Sequence, residues 1–432
     1  MTTVTVLGGG LAGLYSAHEL SKKGFKTLLL EKDEDLGGLA SSYSIEGQPI
    51  PKTYHHVMYG DTTTLSIINE LGLENELYWR KLKVGFYSQE RFYDFSSSTS
   101  ILKFKPLSYW GRIKFGLLVL KARKKPNWSE LNNVSVEDYA RCNAGKGAYK
   151  LINYIVQAKF AEPPANISAA WLMSRFGHES KSVSNQFGYL KGGIQKIVDG
   201  LAIGCRQKGG LVETRTKVTR ILIKDERISS IEYEKEGKTK VIKPDIVVST
   251  LPTPTLLEIA EELPSDYMLS LKNIRYKASI CVAFAFHQRI SSFYWLNVMD
   301  VEKYPFVGVF EHDHLNADLN WPSLVYVVKY LDTKDSFWMR SDEEIVEEFL
   351  VGLSGIFDRN LKESLSWYRV HRADYSTPVF TTNYNKYKPE IKSPVKNLYI
   401  GGISRTYPKD RYMGTAFQTG LEAAEGVASD YL

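Results

Sequence analysis

The stretch VTVLGGGLAGLYSAHELSKKGFKTLLLEK, residues 4–32, decides the fold of this chain. Residues 4–7 form a short apolar and β-branched run, which predicts a buried strand, and residues 25–30 predict a second one. Between them, apolar residues recur at helical spacing over 14–23 and predict a helix. Together the three segments predict a βαβ unit, in which a helix joins two parallel strands and packs on their sheet.

The turn between the first strand and the helix carries Gly8, Gly10 and Gly13 at the spacing G-x-G-x-x-G. The first glycine lets the chain turn tightly, the second lets a pyrophosphate approach the backbone, and the third lets the helix pack closely on the sheet. The helix N-terminus then offers free N–H groups to the phosphates. Glu31 follows the second strand, where a carboxylate can accept hydrogen bonds from a ribose. This combination predicts a dinucleotide-binding site.

The composition is that of an ordinary globular enzyme and argues against several other classes. With 432 residues the chain is too long for a single core, so two intertwined domains are expected. A net charge of +6 is a mild excess that by itself implies no nucleic-acid partner. The cysteines Cys142, Cys205 and Cys281 form no C-x-x-C motif, which argues against a zinc site or a disulfide framework and fits the cytoplasm. Because the first strand begins near Met1 and no apolar run of about eighteen residues occurs, we expect neither a signal peptide nor a membrane span.

The order of patterns along the chain predicts a discontinuous domain with a second domain inserted into it. Strand and turn patterns typical of the dinucleotide-binding unit occupy 1–60, 186–255 and 390–432. Residues 61–185 are predicted to be largely helical, and residues 256–389 carry alternating strands and a capped helix. We therefore expect an α/β domain built from the first three segments and an α+β substrate domain, part helical and part mixed sheet, built from the other two.

Four stretches, spread over nearly the whole chain, resemble one known family. They are VLGGGLAGLYSAHELSKKGFKTLLLEKDEDLGGLASSY, FGYLKGGIQKIVDGLA, TKVTRI running on to KPDIVVSTLP, and LYIGGISRTYPKDRYMGTAFQTGLEAA. In order and spacing they resemble the FAD-containing amine oxidase superfamily, which includes protoporphyrinogen oxidase and the phytoene desaturase-like enzymes. The resemblance implies an FAD-dependent oxidoreductase that takes a hydride from an organic substrate. It also implies an FAD-binding, Rossmann-like domain of the glutathione reductase type.

The resemblance further implies which residues hold the FAD. The adenosine, ribose and pyrophosphate would lie against the N-terminal unit, at Gly8, Gly10, Leu11, Ala12, Gly13, Glu31, Lys32, Gly38, Leu39 and Ala40. The adenine would meet the backbone of Val218, and the ribityl chain and flavin ring would lie near Gly402, Met413, Gly414 and Thr415. The last of these residues begins a predicted helix over 415–424, whose N-terminus can stabilise negative charge.

Two observations bear on the reaction. The sequence contains no second G-x-G-x-x-G, which argues against a nicotinamide reductase with two dinucleotide sites and favours reduction by an organic substrate. The stretch SRTYPKDRYMG also shows a short likeness to the end of UDP-galactopyranose mutase. The alternative function is therefore a non-redox flavoenzyme that acts on a nucleotide sugar.

Candidate catalytic residues lie in two segments outside the cofactor motifs. His55 and His56 follow the segment that should cross the flavin, and at least one of them would face it unless both are structural. Glu311 and His312 in VGVFEHDHL either line the substrate cavity or belong to the structure around it. No metal site is expected, because His312 and His314 lack further ligands at suitable spacing.

Basic residues mark two further candidate sites. Arg405 and Arg411 lie between the last strand and the last helix, where they either clamp an anionic substrate or form a solvated loop. The segment 101–125 contains eight Lys and Arg residues, interleaved aromatics and no acid. It is either a substrate-domain helix with a solvated face or a peripheral contact with anionic lipid. The second interpretation would place a cytoplasmic enzyme at the inner face of the membrane.

Overall fold

The computed structural model describes residues 2–124, 128–179, 185–316 and 318–432. Its helices are α1 (Leu11–Lys22), α2 (Thr62–Glu70), α3 (Ser98–Leu102), α4 (Tyr109–Arg123), α5 (Trp128–Leu131), α6 (Val136–Asn143), α7 (Gly145–Phe160), α8 (Ala169–Glu179), α9 (Gln195–Gln207), α10 (Thr253–Ile259), α11 (Ser265–Lys272), α12 (Asp342–Phe357) and α13 (Met413–Tyr431). Its strands are β1 (Thr3–Leu7), β2 (Lys26–Leu30), β3 (Ser42–Ile45), β4 (Gln48–Pro51), β5 (Val57–Met58), β6 (Leu77–Lys81), β7 (Val84–Ser88), β8 (Arg91–Asp94), β9 (Gln186–Leu190), β10 (Leu211–Glu213), β11 (Thr216–Lys224), β12 (Arg227–Lys235), β13 (Lys238–Ile242), β14 (Ile246–Ser249), β15 (Tyr276–Phe286), β16 (Trp295–Val298), β17 (Gly308–Glu311), β18 (Ser323–Leu331), β19 (Leu365–Pro378) and β20 (Leu398–Ile400).

A five-stranded parallel sheet joins distant parts of the chain in the order β10-β2-β1-β14-β20. The central strand β1 is followed by α1, and β2 returns beside it in parallel, so the opening stretch forms the predicted βαβ unit. The apolar runs of β1 and β14 are buried, as the interior strands of a parallel sheet require. The predicted α/β class with a Rossmann-like sheet is confirmed.

Helices from both ends of the chain pack together on this sheet. α1 is buried along most of its length and contacts both α13 and α9. Gly420 of α13 permits this approach, because a Cβ on it would lie 2.2 Å from the carbonyl oxygen of Ala12. The C-terminal helix is thereby fixed against the N-terminal unit.

A seven-stranded sheet in the order β19-β15-β18-β17-β16-β7-β8 forms a second layer of the molecule. Its pairs are antiparallel except that β16 and β7 run parallel. α7 packs on β18, and α4 packs on both α7 and α8. The helical part of the chain is thus placed against the strand that carries Tyr330.

The segment 61–185 differs from its largely helical prediction. It contains the strands β6, β7 and β8 over 77–94, of which the last two complete the large sheet. The sequences of these short strands show neither helical nor alternating spacing of apolar residues. They join the large sheet because β7 pairs with β16, about 210 residues further along the chain. Helix boundaries also move, since α1 begins at Leu11 and α13 at Met413, earlier than predicted.

No helix of the described ranges is long and apolar enough to cross a membrane. The three cysteines are free, Cys142 at the surface and Cys205 and Cys281 buried. The large side chains that fill the interior are mostly aromatic, among them Trp171, Tyr326 and Phe310. These aromatics matter for the site, because several of them form its walls.

Candidate functional site

The glycine-rich turn leaves β1 at Leu7 and enters α1 at Leu11. Gly8 has φ +100°, a conformation that favours glycine, and a Cβ on Gly13 would lie 1.9 Å from the carbonyl oxygen of Gly8. A Cβ on Gly10, in contrast, would meet no atom within 4 Å. Gly8 therefore serves the turn and Gly13 the helix packing, whereas Gly10 keeps space open in front of the helix.

That open space belongs to a cavity of about 640 Å³ that runs along the carboxyl edge of the parallel sheet. Most of the predicted cofactor residues line it: Gly8, Gly10, Leu11, Ala12, Glu31, Lys32, Gly38, Leu39, Ala40, Val218, Gly402 and Met413. Residues from both chain ends therefore meet at one cavity. Gly13, Gly414 and Thr415 are not in its wall.

Glu31 is buried at the end of β2, and its carboxylate holds the glycine-rich turn. One oxygen accepts a hydrogen bond of 2.6 Å from the Gly9 N–H, and the other accepts one of 2.8 Å from the Asp33 N–H. Burial raises the pKa of Glu31, and the two backbone donors oppose that rise. Since each carboxylate oxygen accepts more than one hydrogen bond, a ligand hydroxyl in the cavity still finds an acceptor here.

The cavity fits an FAD molecule. The N-cap of α1 is Gly10, which has no side chain to satisfy the first N–H groups, and no acid lies in the first turn. These donors, the helix dipole and the space beside Gly10 suit a pyrophosphate. The carboxylate of Glu31 suits a ribose, and Gly402 and Met413 from the C-terminal part of the chain line the same cavity.

A smaller chamber of about 170 Å³ adjoins the cofactor cavity. His55, Arg411, Tyr412 and Met413 line both spaces, so they form a shared wall. We call this set the junction. The rest of the chamber is contributed by α7, α8, the strands β16, β17 and β18 of the large sheet, the segment 53–61 and Asp410.

The two predicted histidines both reach this region. Nδ1 of His55 donates a hydrogen bond of 3.0 Å to the carbonyl oxygen of Thr53, and Nδ1 of His56 bonds the Tyr294 hydroxyl at 2.8 Å. Burial lowers the pKa of His55 to about 4 and that of His56 to about 3. Both rings are therefore neutral at neutral pH.

Asp410 gathers two cations on one wall of the chamber. Its carboxylate lies 3.2 Å from Nζ of Lys159 and 3.1 Å from Nη1 of Arg175. Burial opposes ionisation of Asp410, but the charges of Lys159, Arg175 and Arg411 outweigh it and hold its pKa at about 2. A second carboxylate, Glu179, lies 3.0 Å from Arg175, and burial raises its pKa. Asp410 is therefore ionised and fully engaged.

Arg411 is placed differently from these cations. Its Nη2 donates a hydrogen bond of 2.7 Å to the Tyr330 hydroxyl, which also lies 3.4 Å from the Tyr54 hydroxyl. Within the described part of the chain its guanidinium forms no ion pair, and its buried Nε has no acceptor. Among the described residues, the junction thus presents a cation that has no carboxylate at ion-pair distance, although the charge of Asp410 acts on it from further away.

Asp61 also borders the chamber but is used by two helices. Its carboxylate accepts hydrogen bonds from the N–H and hydroxyl of Thr64 at the start of α2, and from the Gly414 N–H at 3.0 Å. A Cβ on Gly414 would overlap it, at 1.9 Å. Thr415 donates its hydroxyl to the carbonyl oxygens of Asp410 and Tyr412. These two predicted cofactor residues therefore fix the start of α13 behind the junction.

Three predicted catalytic residues are not brought to the chamber. The Glu311 carboxylate accepts from the N–H groups of Ile290 and Ser291, and from the hydroxyls of Ser291 and Ser323. His312 is fully buried with its ring edge-on to Tyr189. Glu311 therefore holds the loop before β16 to the end of β17, whereas neither ring nitrogen of His312 has a hydrogen-bond partner among the described residues.

Arg405 is the third. It is buried on the far side of the loop, where its guanidinium donates to the Pro389 carbonyl oxygen and lies 3.3 Å from Glu422. Of the two predicted arginines, Arg411 lines the chamber and Arg405 does not.

Sequence reasoning did not find Lys159 of α7 and Arg175 of α8, nor the Tyr330 hydroxyl that accepts a hydrogen bond from Arg411. Lys159 and Arg175 each interrupt an apolar run, in VQAKF and WLMSRFG, and a charge on an apolar helix face is a signal of a buried partner. Tyr330 gave no such signal, because a tyrosine in a β-strand is ordinary. Only the three-dimensional contact identifies it.

Comparisons with known proteins agree with this geometry. The sequence model of the family described as flavin containing amine oxidoreductase matches residues 11–428. The 15-cis-phytoene desaturase of Synechococcus elongatus is 23% identical in an alignment of length 453. The alignment covers 95% of this chain and 92% of that protein. The crystal structure of an oxidoreductase from Methanosarcina mazei superposes with a TM-score of 0.77 at 18% identity, over 98% of this chain and 100% of that one. Reduced UDP-galactopyranose mutase gives a TM-score of 0.77 at 15% identity, over 99% and 96% of the two chains.

Proposed function

Since the chain belongs to the flavin-containing amine oxidoreductase family and is an FAD-dependent oxidoreductase, we propose that it oxidises a small organic molecule that carries an anionic group. We further propose that residues 1–60, 186–255 and 390–432 form the FAD domain, and that 61–185 and 256–389 form the substrate domain. The reacting carbon of the substrate would lie at the junction, and the anionic group would lie against Arg411.

The observation that supports this proposal is that Arg411 forms no ion pair among the described residues. Arg411 is partly buried, so its guanidinium loses part of its hydration, and an anion or a strong acceptor that meets it offsets this cost. Lys159 and Arg175 are already held by Asp410, which leaves Arg411 as the cation that is free to bind a ligand in this cluster of described residues. A planar guanidinium suits a carboxylate or phosphate, which it can bind through two parallel hydrogen bonds.

The charges and the size of the chamber also weigh against other substrate classes. A phytoene-like apolar substrate would bury Arg411 without a counter-charge, and an amine would be repelled by it. A volume of about 170 Å³ lies below the roughly 300–1,000 Å³ of common ligand pockets, so a compact molecule fits better than a nucleotide sugar. The chamber therefore favours a small acid with an oxidisable C–H bond.

FAD, when bound, supplies a two-electron acceptor for a hydride. Gly10, Glu31 and the first turn of α1 would hold its pyrophosphate and ribose, and the start of α13 would lie by its ring. Arg411 binds the anionic group of the substrate and so fixes the direction in which the C–H bond points. Such orientation alone contributes a large part of a rate enhancement. The neutral ring of His55, at the junction, adds no charge that would compete with Arg411.

The redox character of the reaction tests this proposal against the mutase alternative. Oxidised holoprotein is mixed without oxygen with small hydroxy acids, amino acids, amines and nucleotide sugars, and the flavin absorbance is followed. We expect bleaching by a small acid. The contrary result is that no compound bleaches the flavin and that a nucleotide sugar is converted only when the flavin has been chemically reduced. That result would support the mutase function instead.

We also propose that α4 contacts an anionic lipid surface. Its outward face carries exposed apolar side chains, with Trp110 69% and Leu117 60% accessible, and Lys114 and Lys121 flank them. These four residues lie at helical spacing on one side of α4, and 101–125 contains no acid. Apolar side chains ringed by cations are typical of a helix that lies in a membrane interface, and the cytoplasmic leaflet supplies the anionic charge. Lys125, the last residue of the predicted segment, lies outside the described residues.

A further inference from the structure

Tyr330 is the polar group that accepts a hydrogen bond from the Arg411 guanidinium. It lies near the end of β18 and is 7% exposed, and its hydroxyl accepts the 2.7 Å hydrogen bond from Nη2 of Arg411. Nζ of Lys159 lies 5.4 Å from the centre of its ring. Two cations thus surround one phenol at the edge of the substrate chamber.

The other titratable groups that face Tyr330, among the described residues, are few. Tyr54 comes from the segment before β5, Lys159 from α7, and Asp410 and Arg411 from the segment before α13. Asp410 is already paired with Lys159 and Arg175, so its negative charge affects the Tyr330 hydroxyl less than the charges of Arg411 and Lys159 do. The surroundings of the Tyr330 hydroxyl are therefore dominated by positive charge.

These surroundings distinguish the two neighbouring phenols. Burial raises the pKa of Tyr330, but the charges of Arg411 and Lys159 lower it by more, so its pKa lies below the ordinary value. Burial raises the pKa of Tyr54 well above that value. Only one of two hydroxyls in contact can readily ionise, and the one that receives the guanidinium hydrogen bond does so first.

We propose, building on the anionic substrate of the proposed function, that Tyr330 takes up a proton when the substrate's anionic group binds Arg411. In the ligand-free protein at alkaline pH, the Tyr330 phenolate neutralises Arg411. When an anion binds there, the phenolate oxygen forms an O–H bond with a proton from solvent, and the anion takes over the neutralising role. No electron is transferred in this exchange. One negative charge replaces another beside the same guanidinium.

The exchange has a reciprocal consequence. An anion that binds only the protonated form must bind more weakly as Tyr330 ionises, and its binding must raise the pKa of Tyr330. Its affinity should therefore fall about tenfold for each pH unit above the pKa of Tyr330 in the ligand-free protein. The enzyme would then bind its substrate with a neutral phenol beside the junction, ready to donate a hydrogen bond to it.

Inorganic sulfate is the probe that tests this, because its charge stays constant over the pH range in which tyrosine ionises. Holoprotein is titrated from neutral pH to above the ordinary tyrosine pKa of about 10, with and without sulfate, while the near-ultraviolet tyrosinate absorbance is recorded. We expect one tyrosine to ionise early, and sulfate to suppress that ionisation. Tyr330→Phe should abolish both effects, whereas Tyr54→Phe, which removes the neighbouring phenol, should keep them.

Each result decides the matter. Sulfate binding that is independent of pH in the wild-type protein, or early ionisation that survives in Tyr330→Phe, overturns the exchange while leaving the anion site intact. Absence of sulfate binding, measured by calorimetry on the wild-type protein, overturns the anion site of the proposed function and this exchange with it. The wild-type pH dependence needs no variant, so a folding defect in Tyr330→Phe cannot obscure the outcome.

Discussion

Asp410 and Arg411 are neighbours in sequence, yet their side chains take opposite roles in the chamber. The Asp410 carboxylate lies within 3.2 Å of both Lys159 and Arg175, whereas the Arg411 guanidinium meets only the Tyr330 hydroxyl, at 2.7 Å, among the described residues. The acid thus neutralises the cations of the helical layer and leaves the cation of the loop for a ligand. In the proposed function, this division leaves Arg411 to bind the anionic group of the substrate.

Arg411→Gln should weaken anion binding strongly. Removing one partner of an enclosed, hydrogen-bonded charge pair costs about 2–5 kcal/mol, which is roughly thirtyfold or more in Kd. Arg411→Lys should recover part of this, because it restores charge without the planar fork. Calorimetric titration with sulfate gives the affinities. The control is Arg405→Lys, which alters the arginine paired with Glu422 outside the chamber and should leave sulfate affinity unchanged. Equal losses at both positions would contradict the assignment.

Asp410→Asn should lower the free energy of unfolding by about 3–5 kcal/mol at neutral pH, because it leaves Lys159 buried without its acid and Arg175 with Glu179 alone. The folded pKa of Asp410 is about 2, below its ordinary value of 3.8. A depressed pKa stabilises the fold above the unfolded value, and that stability is lost as the pH falls through the folded one. The gap between wild type and variant should therefore narrow from about pH 4 to pH 2 in denaturant titrations.

The matched control for that experiment is Asp342→Asn. Asp342 pairs with Arg372 on the surface, its side chain 48% exposed. Exposed pairs contribute about 1 kcal/mol or less, so this variant should change stability little. A similar cost at both positions would show that Asp410 does not hold a buried cluster.

Gly10→Val should abolish FAD binding without harming the fold. The backbone of Gly10 is extended, with φ −71°, and a Cβ there meets no protein atom within 4 Å, so only the cofactor's space is filled. The flavin absorbance of the purified protein measures the effect. Gly116→Val is the control, since a Cβ on Gly116 in α4 also meets open space but lies outside the cofactor cavity. A fully yellow Gly10→Val protein would remove the pyrophosphate from this turn.

Lys114→Gln combined with Lys121→Gln should weaken binding to phosphatidylserine vesicles. Each cation near an anionic surface contributes about 1 kcal/mol, so the pair should cost roughly thirtyfold in partitioning. Vesicle flotation measures this, and vesicles of neutral lipid should retain little protein. Lys238→Gln with Lys240→Gln, on the exposed strand β13, removes the same charge elsewhere and should have less effect. Equal binding of all three proteins would rule out α4 as the contact.

The parts of the fold that local sequence determines were predictable. The βαβ unit and the glycine spacing are written in residues 4–32, and the cofactor cavity follows from them because helix N-termini and strand ends meet there. The strands β7 and β8 were not predictable in this way, since their sheet partner β16 is distant in sequence.

The positions of the catalytic candidates in the structure have a related explanation. Glu311 and Arg405 carry reactive groups in suggestive motifs, but burial gives both of them structural partners. Tyr330 and Lys159 have no motif, and their role arises from contacts between β18, α7 and the loop before α13. A sequence pattern records which chemistry is available, whereas the pairing of charges decides which cation remains free.

The anaerobic response of the flavin tests the central claim most directly. Oxidised wild-type holoprotein and an Arg411→Gln holoprotein of equal FAD content are each titrated with small acids that carry an oxidisable C–H bond, and with amines and apolar compounds. We predict that a small acid bleaches the wild-type flavin, and that Arg411→Gln needs at least about thirtyfold more of the same acid. Bleaching by an amine or an apolar compound, equal in the two proteins, would contradict an anion-selective chamber.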